Sequence, residues 1–171
     1  MRKVCYGVAM SLDGYIAGPN GQDDWIVMDP EIDFGAMFAK YDTLVMGRKT
    51  FERMVKAGQA TVPGMKIVVF SRTLQAADYP DVTIVADKLE ETAFALRASP
   101  GKDIWLFGGG SLFRSFLEKG LVDSVEVGLI PVLLGGGIPL LPAPAGRESL
   151  KLVSHRVCGK SGIVMLTYAL K

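Results

Sequence analysis

The sequence predicts an α/β fold: a mostly parallel central sheet with helices on both faces, finished by an antiparallel hairpin at the C-terminus. Three observations predict it. Short apolar runs alternate with segments of helical periodicity, the pattern of a parallel sheet covered on both sides. Two of these runs end in glycine and pass straight into a helix: Val45-Met46-Gly47-Arg48 and Leu106-Phe107-Gly108-Gly109. The closing stretch holds two strand-like runs on either side of Gly159, which suits a hairpin.

Taken in order, residues 4–10 mix β-branched, aromatic and small side chains and read as a strand. Residues 11–18, Ser-Leu-Asp-Gly-Tyr-Ile-Ala-Gly, turn the chain into a loop through Asn20-Gly21. Asp29 is expected to cap a helix that starts with Pro30 and Glu31 and buries Ile32, Phe34, Met37, Phe38 and Tyr41. Residues 43–46 are a short buried strand, ended by Gly47, and 48–55 are helical. Pro63-Gly64 turns into a strand over 66–70, and a shorter strand covers 82–85. Asp87 is expected to cap a helix that reaches residue 98. A strand over 104–107 meets three glycines, 108–110, that open a helix to residue 119. Residues 124–131 are strand-like, Gly135-Gly136-Gly137 is a loop, and Pro139, Pro142 and Pro144 keep the next stretch irregular. Residues 150–157 and 162–170 form the hairpin. No repeat or low-complexity tract divides the chain, so residues 1–171 are expected to be one domain.

Composition narrows the function. Of 171 residues, 49% are hydrophobic and 22% charged, a balance that excludes a disordered chain. Nineteen basic against eighteen acidic residues leave a net charge of +1, which gives no general field for nucleic acid or anionic lipid. Any anion must be held by a local site. No stretch approaches the roughly 20 apolar residues of a membrane span, and the first residues lack a signal-peptide pattern. A cytoplasmic protein with neither nucleic-acid nor membrane partners is expected. Cys5 and Cys158 lie outside any C-x-x-C and read as buried thiols. His155 is the only histidine, so a zinc site or a histidine-based triad is hard to build, and no metal is expected.

The two glycine-to-helix junctions carry the most chemistry. A helix N-terminus offers free backbone N–H groups and a partial positive charge, and glycine lets a phosphate come close. Two such junctions at one sheet edge suit the two phosphates of a dinucleotide. Each alone also serves as an ordinary βα turn, and neither fits the G-x-G-x-x-G or P-loop pattern.

Their order along the chain says more. Met46-Gly47-Arg48-Lys49-Thr50-Phe51-Glu52 resembles the cofactor-phosphate segment of dihydrofolate reductases. Residues 63–72, ending in Phe70-Ser71-Arg72, resemble the next strand of that family, whose end reaches the adenosine 2′-phosphate. Phe107-Gly108-Gly109-Gly110-Ser111-Leu112 resembles its glycine turn against the pyrophosphate and nicotinamide ribose. Val8-Ala9-Met10 and Tyr15-Ile16-Ala17 fall where that family lines its nicotinamide pocket. A second resemblance, to the reductase domain of the riboflavin-biosynthesis deaminase–reductase, rests on Ala9-Met10-Ser11-Leu12-Asp13-Gly14, Gly120-Leu121-Val122-Asp123 and residues 130–137.

These resemblances imply a dihydrofolate reductase-like three-layer fold and an NADPH-dependent reductase acting on a small pterin, pyrimidine, imine or carbonyl substrate. They imply cofactor binding by Ala9, Ile16, Gly47, Arg48, Lys49, Thr50, Ser71, Arg72 and residues Phe107, Gly108, Gly109, Gly110, Ser111 and Leu112. They also imply a homodimer, formed with the apolar segment 125–134. The chain departs from both relatives where substrate is chosen. Gly7 stands where the riboflavin reductase usually has lysine, and the acidic run Asp29-Pro30-Glu31-Ile32-Asp33 replaces its phosphate-gripping basic segment. The arginine that grips the folate tail has no counterpart. A non-catalytic NADP(H)-binding sensor or scaffold is the alternative.

Three further residues are candidates near the substrate. The resemblance to dihydrofolate reductases implies a buried carboxylate facing the pterin on the helix after the loop, for which Asp33 is the nearest match by position and Glu31 the alternative. Between apolar Ile32 and Phe34, Asp33 is expected to be partly buried with a raised pKa and to help deliver a proton, or else to lie on the helix surface. Asp13 is a turn residue or a substrate contact. Trp25 closes the pocket or caps the core. His155 is expected in the hairpin, far from the cofactor.

Overall fold

The computed structural model describes residues 1–171. Along the chain lie β1 (Val4–Ser11), β2 (Tyr15–Ala17), α1 (Phe34–Phe38), β3 (Tyr41–Gly47), α2 (Arg48–Lys56), β4 (Lys66–Phe70), β5 (Thr83–Val85) and α3 (Leu89–Ala98). Then come β6 (Asp103–Gly108), α4 (Gly110–Glu118), β7 (Ser124–Ile130), β8 (Ile138–Pro139), β9 (Leu150–Val157) and β10 (Val164–Leu170). Eight strands form one sheet in the order β5-β4-β3-β6-β1-β7-β10-β9. From β5 to β7 every pairing is parallel, while β7–β10 and β10–β9 are antiparallel. This is the mixed sheet with a terminal hairpin that the sequence predicts. No helix is long and apolar enough to cross a membrane.

Alternation along the strands fills both faces. On one, Val4 and Tyr6 of β1 join Val45, Leu106, Phe113 and Phe116 against α3 and α4. Tyr6 stacks on Phe113 with ring centroids 3.9 Å apart. On the other, Cys5 joins Leu44, Met46, Phe51 and Trp105. Each such large, fully buried side chain contributes about 1.5–3 kcal/mol. A small third cluster, Ile130, Cys158 and Ile163, gathers Ala9, Trp25, Ile32 and Met165 at the hairpin end.

The amino edge of the sheet is fastened by Arg2, only 8% exposed. Its guanidinium donates to the Lys102 carbonyl, to Ser99 Oγ at 3.1 Å and to Thr43 Oγ1 at 2.7 Å, and pairs with Asp42. Burial pushes the Asp42 carboxyl up, but the Lys102 amide, the Thr43 hydroxyl and Arg2 together hold it below its ordinary value.

Two caps differ from expectation. Asp29 does not cap α1. It is buried and accepts from the amides of Glu31 at 2.7 Å and Ser161 at 3.0 Å, so its i+2 bond makes a turn of residues 30–32 and ties them to the β9–β10 connection. The helix begins later, capped by Asp33, and has only five residues. Likewise α3 starts after Lys88, which adopts a left-handed φ of 64°, while Asp87 pairs with Arg72. The β2–β8 pair was not expected, because strands of three and two residues are too short to show a period.

Candidate active site

Parallel pairing of β3 with β6 sets the two glycine junctions side by side at the carboxyl edge, with Met46 opposite Gly108. Gly47 and Gly109 are the N-caps of α2 and α4, and neither helix receives a side-chain cap bond. The first backbone N–H groups of both helices are therefore open to a ligand. A Cβ on Gly47 would lie 4.0 Å from the Gly108 carbonyl oxygen, and Thr50 Oγ1 would lie 3.6 Å from a Cβ on either Gly108 or Gly109. Gly108 has φ 136°, which excludes a side chain, and the Gly108–Gly109 peptide is cis. Gly110 is fixed differently: a Cβ there would meet the Pro139 carbonyl at 2.8 Å. Around this turn, Leu112 packs on the core, Phe107 meets Trp105 edge-on at 5.1 Å, and the Ser111 carbonyl accepts the Ser115 hydroxyl. Arg48, Lys49 and Thr50 form the first turn of α2.

The ends of β4 and β5 frame a cleft of about 380 Å³ lined by Phe70, Ser71, Arg72, Asp87, Lys88 and Leu89. The Ser71 oxygen accepts from the amides of Thr73 and Leu74 at 3.2 and 3.1 Å, so this residue also builds the turn. Arg72 pairs with Asp87 at 3.2 Å and Arg48 with Glu52 at 2.8 Å. Each arginine is held by a neighbouring carboxylate, and Arg48 does not line this cleft. Lys88 went unnoticed in the sequence, where only its place just past an apolar run marks it.

At the end of β1, Asp13 is fully engaged. It accepts from the Ser11 hydroxyl at 2.6 Å, from the Leu134 amide at 3.1 Å and from the Gly135 amide at 2.7 Å. The Ser11 hydroxyl, followed by these amides, holds its carboxyl below the ordinary value. Asp13 thus clamps the loop after β1 to the loop after β7. Ile16 lies in β2, half-buried, and Trp25 packs in the same cluster as Ala9, its indole N–H donating to the Gln22 carbonyl at 3.1 Å.

A second cleft, of about 430 Å³, lies between α1 and the β7–β10–β9 end of the sheet, with Asp33, Met37, Lys40, Glu126, Met165 and Thr167 on its walls. Asp33 is exposed at the rim rather than partly buried, because it caps α1 by accepting the Ala36 amide at 2.8 Å. Glu126 is the residue that sequence reasoning missed. The signal was there: Val125 and Val127 flank it and point into the core, which turns Glu126 to the opposite face. Burial, followed by the Glu126 charge, pushes the Cys5 thiol up to about 11, so it stays protonated and is no nucleophile. His155 stands opposite Leu166 on the edge strand, remote from the glycine turns. No group of three His, Cys, Asp or Glu side chains is placed to hold a metal ion.

The RibD C-terminal domain model matches residues 2–164. The chain belongs to the RibD C-terminal domain family. Within reach of this RibD-type domain is protein YyaP of Bacillus subtilis, 37% identical over 179 residues that cover 98% of this chain and 94% of YyaP. A Shewanella sp. PV-4 crystal structure, of a candidate riboflavin biosynthesis protein, superposes with TM-score 0.81 at 30% identity over 100% of this chain and 99% of that one. Dihydrofolate reductase from Enterococcus faecalis, complexed with NADP(H), gives TM-score 0.72 at 20% identity over 99% and 96% of the two chains, which establishes the dihydrofolate reductase-like fold.

Proposed function

We propose that this RibD-type domain is an NADPH-dependent oxidoreductase that reduces an sp² carbon of a small pterin, pyrimidine, imine or carbonyl substrate. The observation that carries the reading is the abutment of two uncapped, glycine-started helices, α2 and α4, at one sheet edge. Open amides over side-chain-free backbone fit a diphosphate. Gly47, Arg48, Lys49 and Thr50 would hold one phosphate, and Gly108, Gly109, Gly110 and Ser111 the other. Ser71 and Arg72, with Lys88 beside them, would take the 2′-phosphate; Ala9, Ile16, Phe107 and Leu112 would border the nicotinamide end. When bound, NADPH supplies a hydride.

The chain's own residues supply position and a proton. Trp25 covers the end of β1, and the Asp13 clamp keeps the neighbouring loops in register. Asp33, exposed at the mouth of the second cleft, would pass a proton inward through water. We place the protein in the cytoplasm as a single-domain homodimer. In the segment 125–134 the side chains of Val125, Val127 and Ile130 are core while Leu133 is exposed; the contact would be made by Leu133 together with the outward-facing edge strand β9, where Leu152, Val153 and Val157 are exposed.

Stopped-flow mixing with NADPH and candidate oxidants tests the reading. Loss of NADPH absorbance in turnover supports it. Tight binding without oxidation replaces it with a nucleotide-binding sensor, and no binding removes both.

A further inference from the structure

Gly110, Arg114 and Glu118 follow one another at intervals of four along α4, so they share one face of the helix. That face meets the segment 137–144. The Pro139 and Leu140 carbonyl oxygens and Pro142 Cδ would stand 2.8, 3.1 and 2.9 Å from a Cβ on Gly110, so the segment lies directly on the first residue of the helix. Pro139, Pro142 and Pro144 have no N–H, which leaves the segment to be held mainly by its carbonyls. Its first half is tied to the loop after β1: β8 pairs with β2, and the Leu140 amide donates to the Gly14 carbonyl at 3.0 Å. Its second half depends on one side chain. Arg114 Nη1 donates to the carbonyls of Pro142, Ala143 and Pro144 at 3.4, 3.1 and 3.3 Å. No other hydrogen bond reaches residues 141–149. Arg114 Nε lies 3.8 Å from the Glu118 carboxylate, which completes the stripe.

We infer that Arg114 is a positioning residue for the nucleotide: it pins the segment 137–144 against Gly110 and so keeps the first turn of α4 shaped for a phosphate. That the ligand is a nucleotide rests on the reductase reading; that Arg114 alone holds residues 141–149 does not. In the first turn the Leu112 and Phe113 amides are spent on the Gly109 carbonyl, at 3.0 Å each, which leaves the Gly110 and Ser111 amides for the ligand. Arg114 stands about 6 Å further along the helix axis, with its guanidinium on the segment. Arginine suits the task, since its planar, permanently charged fork can serve several carbonyls at once. Without it, the segment leaves Gly110 part of the time, and a nucleotide must first restore the contact. The cost falls on affinity, and on every ligand that needs α4. NADPH and NADH both carry the diphosphate and lose alike. Adenosine 2′-monophosphate, which reaches only Ser71 and Arg72 at the end of β4, loses nothing.

Isothermal titration of NADPH, NADH and adenosine 2′-monophosphate into the wild-type protein and its Arg114 variants separates positioning from general loosening. Arg114→Ala should weaken NADPH and NADH by about tenfold, the loss expected when the turn is held about a tenth of the time, and leave adenosine 2′-monophosphate within about twofold. Arg114→Lys, which can still serve one carbonyl, should fall between, and it carries the comparison if the alanine variant does not fold. Glu118→Gln, which leaves the carbonyl contacts in place, should bind as wild type. Trypsin should cut after the exposed Arg147 faster in Arg114→Ala, and NADPH should slow that cut, because the coupling is reciprocal. Equal weakening of all three ligands, a cut that NADPH leaves unchanged, or NADPH affinity within about twofold of wild type in every folded Arg114 variant overturns the inference and leaves the reductase reading standing. A wild-type protein that binds neither NADPH nor NADH overturns both.

Discussion

The indole N–H of Trp105 donates to the Gly7 carbonyl at 3.0 Å, and the ring fills the space that a side chain at position 7 would need. A Cβ there would stand 2.6 Å from Trp105 Nε1. The lysine usual in the riboflavin reductase therefore cannot be restored without displacing the indole. Gly7→Lys should destabilise the fold by about 1–3 kcal/mol through overpacking. Urea unfolding would show a lower midpoint at unchanged slope; a variant as stable as wild type would mean the indole swings away freely.

Asp33 has two tasks that substitution can separate. Asparagine caps helices as well as aspartate does, but it carries no acidic proton. Asp33→Asn should keep the thermal midpoint and lower turnover, with NADPH affinity intact. Asp33→Ala should also lose about 0.5–2 kcal/mol of stability. Undiminished turnover in Asp33→Asn across the pH range takes Asp33 out of the chemistry.

The cofactor preference should follow Arg72. Losing one charge-assisted bond to a phosphate costs about 1.5–3 kcal/mol, roughly tenfold or more in affinity. Arg72→Ala should weaken NADPH binding by about that factor and leave NADH within about twofold, since NADH lacks the 2′-phosphate; Arg48→Ala, at the diphosphate that both nucleotides carry, should weaken the two alike. Asp87→Asn, which frees Arg72 from its ion pair, should strengthen NADPH. Isothermal titration of both nucleotides decides the matter.

Acid should loosen the protein through Asp29. The Ser161 side chain, and after it the amides of Glu31 and Ser161, hold its carboxyl below the unfolded value of 3.8. A depressed carboxyl contributes stability that is full above the unfolded value and is lost as pH falls through 3.8 toward the folded one. Asp13 acts in the same direction. Denaturation followed from pH 6 downward should show stability falling below about pH 4. In Asp29→Asn that fall should be shallower; an identical slope would leave Asp29 without a part in it.

Assembly is tested by mass. Sedimentation at micromolar concentration should give twice 18.4 kDa, and Val153→Lys on β9 should return the monomer. A wild-type monomer removes the dimer.

The parallel strands were legible because each is an apolar run long enough to show its period, and the glycine junctions because Gly47 and Gly108–Gly110 break those runs in plain view. Caps were not. Asp29, Asp33, Asp87 and Lys88 compete for the same helix starts, and the choice is made by distant partners, Ser161 for Asp29 and Arg72 for Asp87. Glu126 escaped for a related reason. A lone charge in a strand reads as solvent-facing unless the neighbours across the sheet are known, and those neighbours lie about 120 residues before it and 40 after it, as their pairings with Gly7 and Thr167 show.

Arg2 reaches across Ser99, Lys102, Asp42 and Thr43 at the amino edge, while the glycine turns lie at the carboxyl edge, where Met46 stands opposite Gly108. Fastening and the glycine turns thus occupy different ends of the same strands. Loops around the clefts can change length and charge over evolutionary time while the knot at Arg2 keeps the strands aligned. A lineage can then acquire a new substrate by rewriting the acidic run 29–33, with no need to reinvent the sheet beneath.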